Sequence, residues 1–96
     1  MSRRRYLITY DIADDARRTR VFKVCEREAD HIQYSVFVAE LDERELIAMQ
    51  AELSELIDTE KDQILFADLG LAEKEAGRII DSLGKRYQPP TRALVV

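Results

Sequence analysis

Within ten residues the sequence places three carboxylates and three guanidiniums: Asp11, Asp14 and Asp15, then Arg17, Arg18 and Arg20. Carboxylate oxygens hold hard cations such as Mg²⁺ or Mn²⁺, and guanidiniums clamp phosphate through paired N–H donors, so the cluster has the composition of a phosphodiester site. Asp11 stands apart because it follows the largely apolar run Tyr6-Leu7-Ile8-Thr9-Tyr10 directly, which puts it at the rim of a sheet rather than in a loop. Taken alone, such an aspartate is equally a turn or cap residue. Asp14 and Asp15 also suit the start of a helix, and Arg17, Arg18, Arg20, Lys23 and Arg27 also suit its solvated side. One aspartate is a poor metal cage, but a two-fold dimer would bring two copies of Asp11 to one cleft.

Most other chemistries lack their residues. His31 is the sole histidine and Cys25 the sole cysteine, which excludes a Cys/His metal cluster and an internal disulfide within one chain. No glycine-rich phosphate loop is present. His31 at a strand start reads as structural, and Cys25 on the apolar side of a helix reads as core. The cysteine usage points to a reducing, cytoplasmic setting. No stretch approaches the ~20 apolar residues of a membrane span, and the basic N-terminus lacks a long enough apolar run for a signal peptide.

The 96 residues suit one domain, and a chain this short gains buried area by pairing with its own copy. The net charge of −4 hides a split: residues 1–27 hold eight Lys/Arg against four Asp/Glu, and residues 28–96 seven against fifteen. That asymmetry suggests a face that meets an anion, or simply a charged, solvated helix.

The elements that must position Asp11 follow from propensity and period. A first strand ends near Asp11, and Asp14 caps a helix running to about Glu28 that buries Val21, Val24 and Cys25, with Phe22 beside them. Residues 31–41 are extended, with a bend or bulge at Gln33-Tyr34-Ser35. Asp42 and Glu45 form a capping box, and Leu46, Met49, Leu53 and Leu56 mark an amphipathic helix over 43–57. Residues 63–69 form another strand, closed by Gly70. The order β-α-β-β-α-β gives an α+β fold of the ferredoxin-like pattern. Beyond it, Ala72, Ala76, Ile79, Ile80 and Leu83 fit a helix, while 78–83 fit a strand equally well. Pro89-Pro90 stop whatever precedes them, leaving 92–96 as a short extended tail. The domain is assigned to 1–84 and a C-terminal extension to 85–96.

Tyr10-Asp11-Ile12 with Asp14-Asp15, then Arg17-Arg18, then Gln33-Tyr34-Ser35-Val36-Phe37 and an acid-capped helix, resemble the CRISPR-associated protein two family over residues 5–84. This family of small adaptation proteins accompanies the CRISPR integrase in antiviral defence. The resemblance implies a ferredoxin-like homodimer in which Asp11 of both chains face each other across the dyad with Mg²⁺ (or Mn²⁺) between them, the metal and catalytic position. It also implies that 78–83 is a strand exchanged or docked onto the other subunit's sheet. Tyr10, Arg17, Arg18, Ser35 and Phe37 match positions used around the cleft or against nucleic acid, and Arg20 joins them through the basic cluster. Ala29-Asp30 stands where many members have a glycine turn, and Ala39 replaces a frequent glycine.

Three functions follow as expectations. The first is a dimeric metal-dependent endonuclease of RNA or DNA that also scaffolds the integrase during spacer acquisition. The second is a purely non-catalytic adaptor that orients duplex DNA, with the tail helping to bind the integrase. The third, of another class, is a toxin-type ribonuclease or a ferredoxin-like ligand-binding regulator.

Overall fold

Alternation along the first strand decides which way the sheet faces. In a computed structural model that describes residues 2–73, 75 and 78–87, Tyr6, Ile8 and Tyr10 of β1 (Arg4–Asp11) are buried, as successive side chains on a strand must point to opposite faces. They meet Val21, Val24 and Cys25 of α1 (Asp15–Glu28) and Met49 and Leu53 of α2 (Glu43–Ser54) in one core. Both helices therefore cover the even-numbered face of β1. Phe37, Ile8, Leu53, Val21 and Cys25 are its largest fully buried side chains.

The remaining strands are β2 (Asp30–Gln33), β3 (Val36–Leu41) and β4 (Gln63–Leu71), giving the order βαββαβ. They form one antiparallel sheet, β2-β3-β1-β4, in which the β1 position between β3 and β4 is that of a ferredoxin-like fold. Asp14 caps α1 by accepting from the Arg17 backbone N–H at 2.9 Å. Asp42 and Glu45 close the expected capping box on α2, at 2.8 and 3.0 Å.

One sequence expectation gains its exact place and two change. The bend in 31–41 is a turn at Tyr34-Ser35, with a register shift between His31 and Gln33. The second helix ends at Ser54 rather than 57; Ser54 Oγ donates back to the Gln50 carbonyl at 2.6 Å, and Leu56 still packs on the core from the turn beyond. Gly70 does not close β4 but sits inside it with φ 96°, beside the register shift between Arg4 and Tyr6, a bulge that needs glycine's freedom at positive φ.

Within one chain 78–83 forms neither a helix nor a strand. Arg78 N–H closes a turn on the Glu75 carbonyl at 2.9 Å, and irregular chain follows to Tyr87. A strand exists only with a neighbouring backbone to pair with, and among the described residues of a single chain 78–83 have none. Pro89-Pro90 and residues 92–96 lie outside the described residues.

The odd-numbered face of β1 has a different character. Leu7 and Thr9 are flanked there by Val38 and Val36 of β3 and by Ala67 and Leu65 of β4, and Leu65 is 50 % exposed. Asp11 shares this face by alternation and pairs with Gln63.

Candidate active site

The β1–β3 ladder stops at Thr9↔Val36, so Tyr10 and Asp11 run level with the Tyr34-Ser35 turn at one end of the sheet. Three residues then carry the chain into α1, which brings Arg18, Thr19 and Phe22 over the same end. The space between is a cleft of about 540 Å³ bordered by these residues together with Ile12 and His31. Sequence reasoning thus brought Asp11, Tyr10, Arg18 and Ser35 to one place. Phe22, His31 and Tyr34 belong there too, although nothing in their spacing marked them.

Aromatic rings form the floor. Phe37 lies 6.2 Å from Tyr10, 5.7 Å from Phe22 and 4.7 Å from His31 between ring centroids, nearly parallel to the first and last. Phe37 is fully buried, so it shapes the cleft from beneath and does not reach a ligand. Tyr10 is 8 % exposed, and burial pushes its phenol upward, which keeps it neutral and a hydrogen-bond donor. Cys25 is core as expected, its thiol pushed up to about 11 by burial.

The charged cluster sorts itself by partner. Arg17 faces Asp62, with Nε donating to Oδ2 at 2.7 Å and Nη2 to Oδ1 at 3.2 Å. Asp62 also accepts from the backbone N–H of Ala13 at 3.0 Å and of Asp58 at 2.9 Å. The Arg17 guanidinium, followed by burial working the other way and then by those two amides, leaves the Asp62 carboxyl well below the usual carboxylate range. The fork that suited a phosphate is spent on a structural clamp. Arg18 donates from Nη1 to the Ile12 carbonyl at 2.9 Å and from Nη2 to Asp15, tying α1 to the end of β1. Arg20 is exposed with no hydrogen-bonded partner among the described residues.

Asp14 is occupied by its cap and Asp15 by Arg18. Asp11 is exposed and, among the described residues, is the one aspartate of the cluster without a hydrogen bond or ion pair. No group of three His, Cys, Asp or Glu side chains close enough to share a metal occurs among the described residues. The donor set of one chain therefore fits only a hard cation that keeps most of its waters and takes one or two carboxylates, as Mg²⁺ does.

The charge split also folds back on itself. Arg3 pairs with Glu45 at 2.6 Å, Arg4 with Asp68 at 2.9 Å and Arg5 with Glu40 at 2.6 Å, and Arg27 with Glu28 and Glu52. Basic residues of the first 27 positions thus meet acids supplied by the rest of the chain, leaving Arg20 and Lys23 among the cations on the solvent side of α1.

Residues 4–79 match the family model described as CRISPR associated protein Cas2. The chain belongs to the Cas2 family. It is 40 % identical over 91 residues to the CRISPR-associated endoribonuclease Cas2 1 of Rhodospirillum rubrum, covering 95 % of this chain and 88 % of that one. It is 47 % identical over 89 residues to an endoribonuclease Cas2 of Chloroflexus aurantiacus, covering 93 % and 95 %. A relative from Halalkalibacterium halodurans, 36 % identical over 67 % of this chain and 72 % of its own, is named a CRISPR-associated endonuclease. The crystal structure of Streptococcus pyogenes Cas2 superposes with a TM-score of 0.71 at 29 % identity, over 83 % of this chain and 99 % of that one. Membership of the Cas2 family places the chain among CRISPR adaptation proteins and bears out the resemblance and the ferredoxin-like α+β fold.

Asp62 is the residue that sequence reasoning missed in this Cas2 site. Its position just before Gln63, the β4 partner of Asp11, is the signal that was available: a carboxylate there can reach the loop that leaves β1. Among the described residues no helix is long and apolar enough to cross a membrane.

Proposed function

We propose that this Cas2-family chain is a nuclease of RNA or DNA that works as a homodimer, with Asp11 as the metal-holding and catalytic carboxylate. The observation that carries the proposal is the state of Asp11: it borders the cleft unencumbered while Asp14, Asp15 and Asp62 are each committed to a cap, an arginine or both. The names of the relatives as endoribonucleases and endonucleases support the reaction class.

The dimer is supported by the sheet. Its odd-numbered face carries Leu7, Val36 and the half-exposed Leu65 without helix cover, and Asp11 ends β1 at the edge of that face. Two such faces packed across a two-fold axis bring two Asp11 carboxylates toward one another, which supplies the second ligand a single chain lacks. It would also give 78–83 a neighbouring sheet to pair with. Mg²⁺ or Mn²⁺ held by the Asp11 carboxylates supplies electrostatic stabilisation of the attacked phosphodiester. The chain's own residues position the strand: Arg20 offers an uncommitted guanidinium to a backbone phosphate, and Arg18 fixes the β1–α1 junction from which Asp11 projects.

The alternative of a non-catalytic adaptor for the CRISPR integrase rests on one observation. Apart from Asp11, the titratable groups bordering the cleft are Tyr10, Arg18, His31 and Tyr34; none of them is a second carboxylate to share a metal, and His31, the one ordinary general base among them, has its Nε2 against the Tyr34 carbonyl. The two readings separate in one comparison of wild type and Asp11→Asn, assayed for metal-dependent cleavage and, with the integrase, for spacer integration. Loss of cleavage with integration retained assigns Asp11 to the nuclease alone. Absence of cleavage by the wild type at any Mg²⁺ or Mn²⁺ concentration leaves the adaptor.

A further inference from the structure

The turn between β2 and β3 carries a large side chain that the fold does not use. Tyr34 is 95 % exposed, yet its backbone is held, because the Tyr34 carbonyl oxygen lies 2.6 Å from His31 Nε2. His31 in turn stacks on buried Phe37 at 4.7 Å and 23° and meets Phe22 edge-on at 5.3 Å and 85°. A free ring thus stands on a mount fixed to the core. Tyr34, His31 and Phe22 border the same cleft as Asp11 and Arg18. Aromatic surface from the hairpin therefore adjoins the charged groups where β1 runs into α1.

Aromatic platforms beside cations are what unpaired nucleobases stack on, and such stacking tolerates any base because every base has a π-face. A base inside a duplex has both faces covered and must leave the stack before a side chain can take it. A cleft of about 540 Å³ is within the size range of small-ligand sites. Of the five donors on the Arg18 guanidinium, those not directed at Ile12 and Asp15 remain for a ligand, and the Ser35 hydroxyl is a further polar group at the rim.

We propose that this cleft is a nucleobase subsite: a single-stranded nucleic acid seats one unpaired base against Tyr34 and His31 while its backbone passes Asp11. The proposal rests on the reading of the Asp11 cleft as a nucleic-acid site and adds Tyr34 as a substrate-positioning residue on which an unpaired base stacks. It is tested with a short single-stranded RNA carrying one 2-aminopurine, titrated in EDTA so that cleavage plays no part. Wild type should change the 2-aminopurine fluorescence on binding. Tyr34→Ala should abolish that change and weaken binding about 10-fold, the scale of one lost stacking partner, while Tyr34→Phe should retain both.

Because Tyr34 is exposed, the alanine variant should melt with the wild type, which separates a lost platform from a lost fold. Equal titration of Tyr34→Ala and wild type, or an equal fluorescence change with the same base held in a duplex, overturns the subsite. The fluorescence change without any Mg²⁺-dependent cleavage keeps the subsite and removes the nuclease. Cleavage that is indifferent to Tyr34, with no fluorescence change, does the reverse.

Discussion

Arg17 and Asp62 stand 45 residues apart in sequence and meet through two hydrogen bonds, Nε to Oδ2 at 2.7 Å and Nη2 to Oδ1 at 3.2 Å. The Asp62 side chain is fully buried beneath the arginine and also holds the Ala13 and Asp58 amides. One carboxylate therefore joins the loop after β1, the first turn of α1 and the approach to β4. Removing it leaves a partly buried guanidinium and two amides without acceptors, the arrangement that makes a broken buried pair costly. Asp62→Ala should lower Tm by more than about 5 °C in a domain of this size, measured by calorimetry. Arg17→Ala should also lose stability, so a drop in nucleic-acid binding by that variant does not by itself locate a phosphate contact, and Arg20→Ala is the cleaner probe.

The same pair sets an acid limit. Asp62 is held below its ordinary value near 3.8, first by Arg17, so the folded state favours the ionised form. Its contribution is fully present above pH 3.8 and is lost progressively as pH falls toward the folded value. Acid unfolding of the wild type should therefore steepen below about pH 4, and Asp62→Asn should flatten the curve in that window while lowering stability at pH 7. Parallel pH curves for the two proteins would contradict the assignment.

Asp11 has the opposite profile, exposed and without a structural partner. Asp11→Asn should leave Tm within about 1–2 °C of wild type, since exposed substitutions away from caps and clamps cost little. Cleavage should fall by at least about 100-fold, because losing a divalent cation removes several kcal/mol of charge stabilisation. Chelation of the wild type should reproduce the loss, and isothermal titration of Mn²⁺ should show the site absent from the variant.

What could be read from the sequence divides along physical lines. The elements around Asp11 were legible because each has a local cause: β-branched and aromatic alternation for β1, Asp14 and Asp42 as caps, and the Leu46, Met49, Leu53 spacing for α2. The clamp was not, since nothing local tells Asp62 from the equally acidic Asp58 until β4 is laid beside β1. Arg17 looked like a phosphate ligand for the same reason; its fork fits either oxyanion, and only long-range topology chooses. The segment 78–83 was ambiguous because its apolar residues fit either period, and among the described residues it joins neither the sheet nor a helix. Phe37 matched a family position at the cleft, yet its alternation places it under the site rather than in it.

Gly70 tests the bulge in β4. It has φ 96°, and a Cβ placed there meets no atom within 4 Å, so a substitution would bring strain without a clash. Gly70→Ala should cost about 1–2 kcal/mol, the penalty of the left-handed region for a residue with a Cβ. Urea denaturation should show that loss as a lower midpoint with an unchanged slope. A stability equal to wild type would mean that the bulge relaxes into regular ladder, and the Asp68 carboxylate, which now accepts from the Gly70 N–H at 2.8 Å and from Arg4, would lose that amide.

Leu65 decides between one chain and two. It is half exposed on the sheet face that neither helix covers, directly opposite Thr9 and two residues along β4 from the Gln63 that pairs with Asp11. A charge placed there would have to be buried without a partner if two sheets meet face to face, and that costs far more than the apolar contact it replaces. In a lone chain the same charge would point into water at little cost. Leu65→Arg should therefore convert the protein to a monomer in sedimentation velocity while its far-ultraviolet circular dichroism stays that of wild type. Cleavage should fall with the dimer, since each chain then holds a single Asp11. If Leu65→Arg sediments as wild type and cleaves normally, the apolar face is not the interface, and the second carboxylate must come from elsewhere.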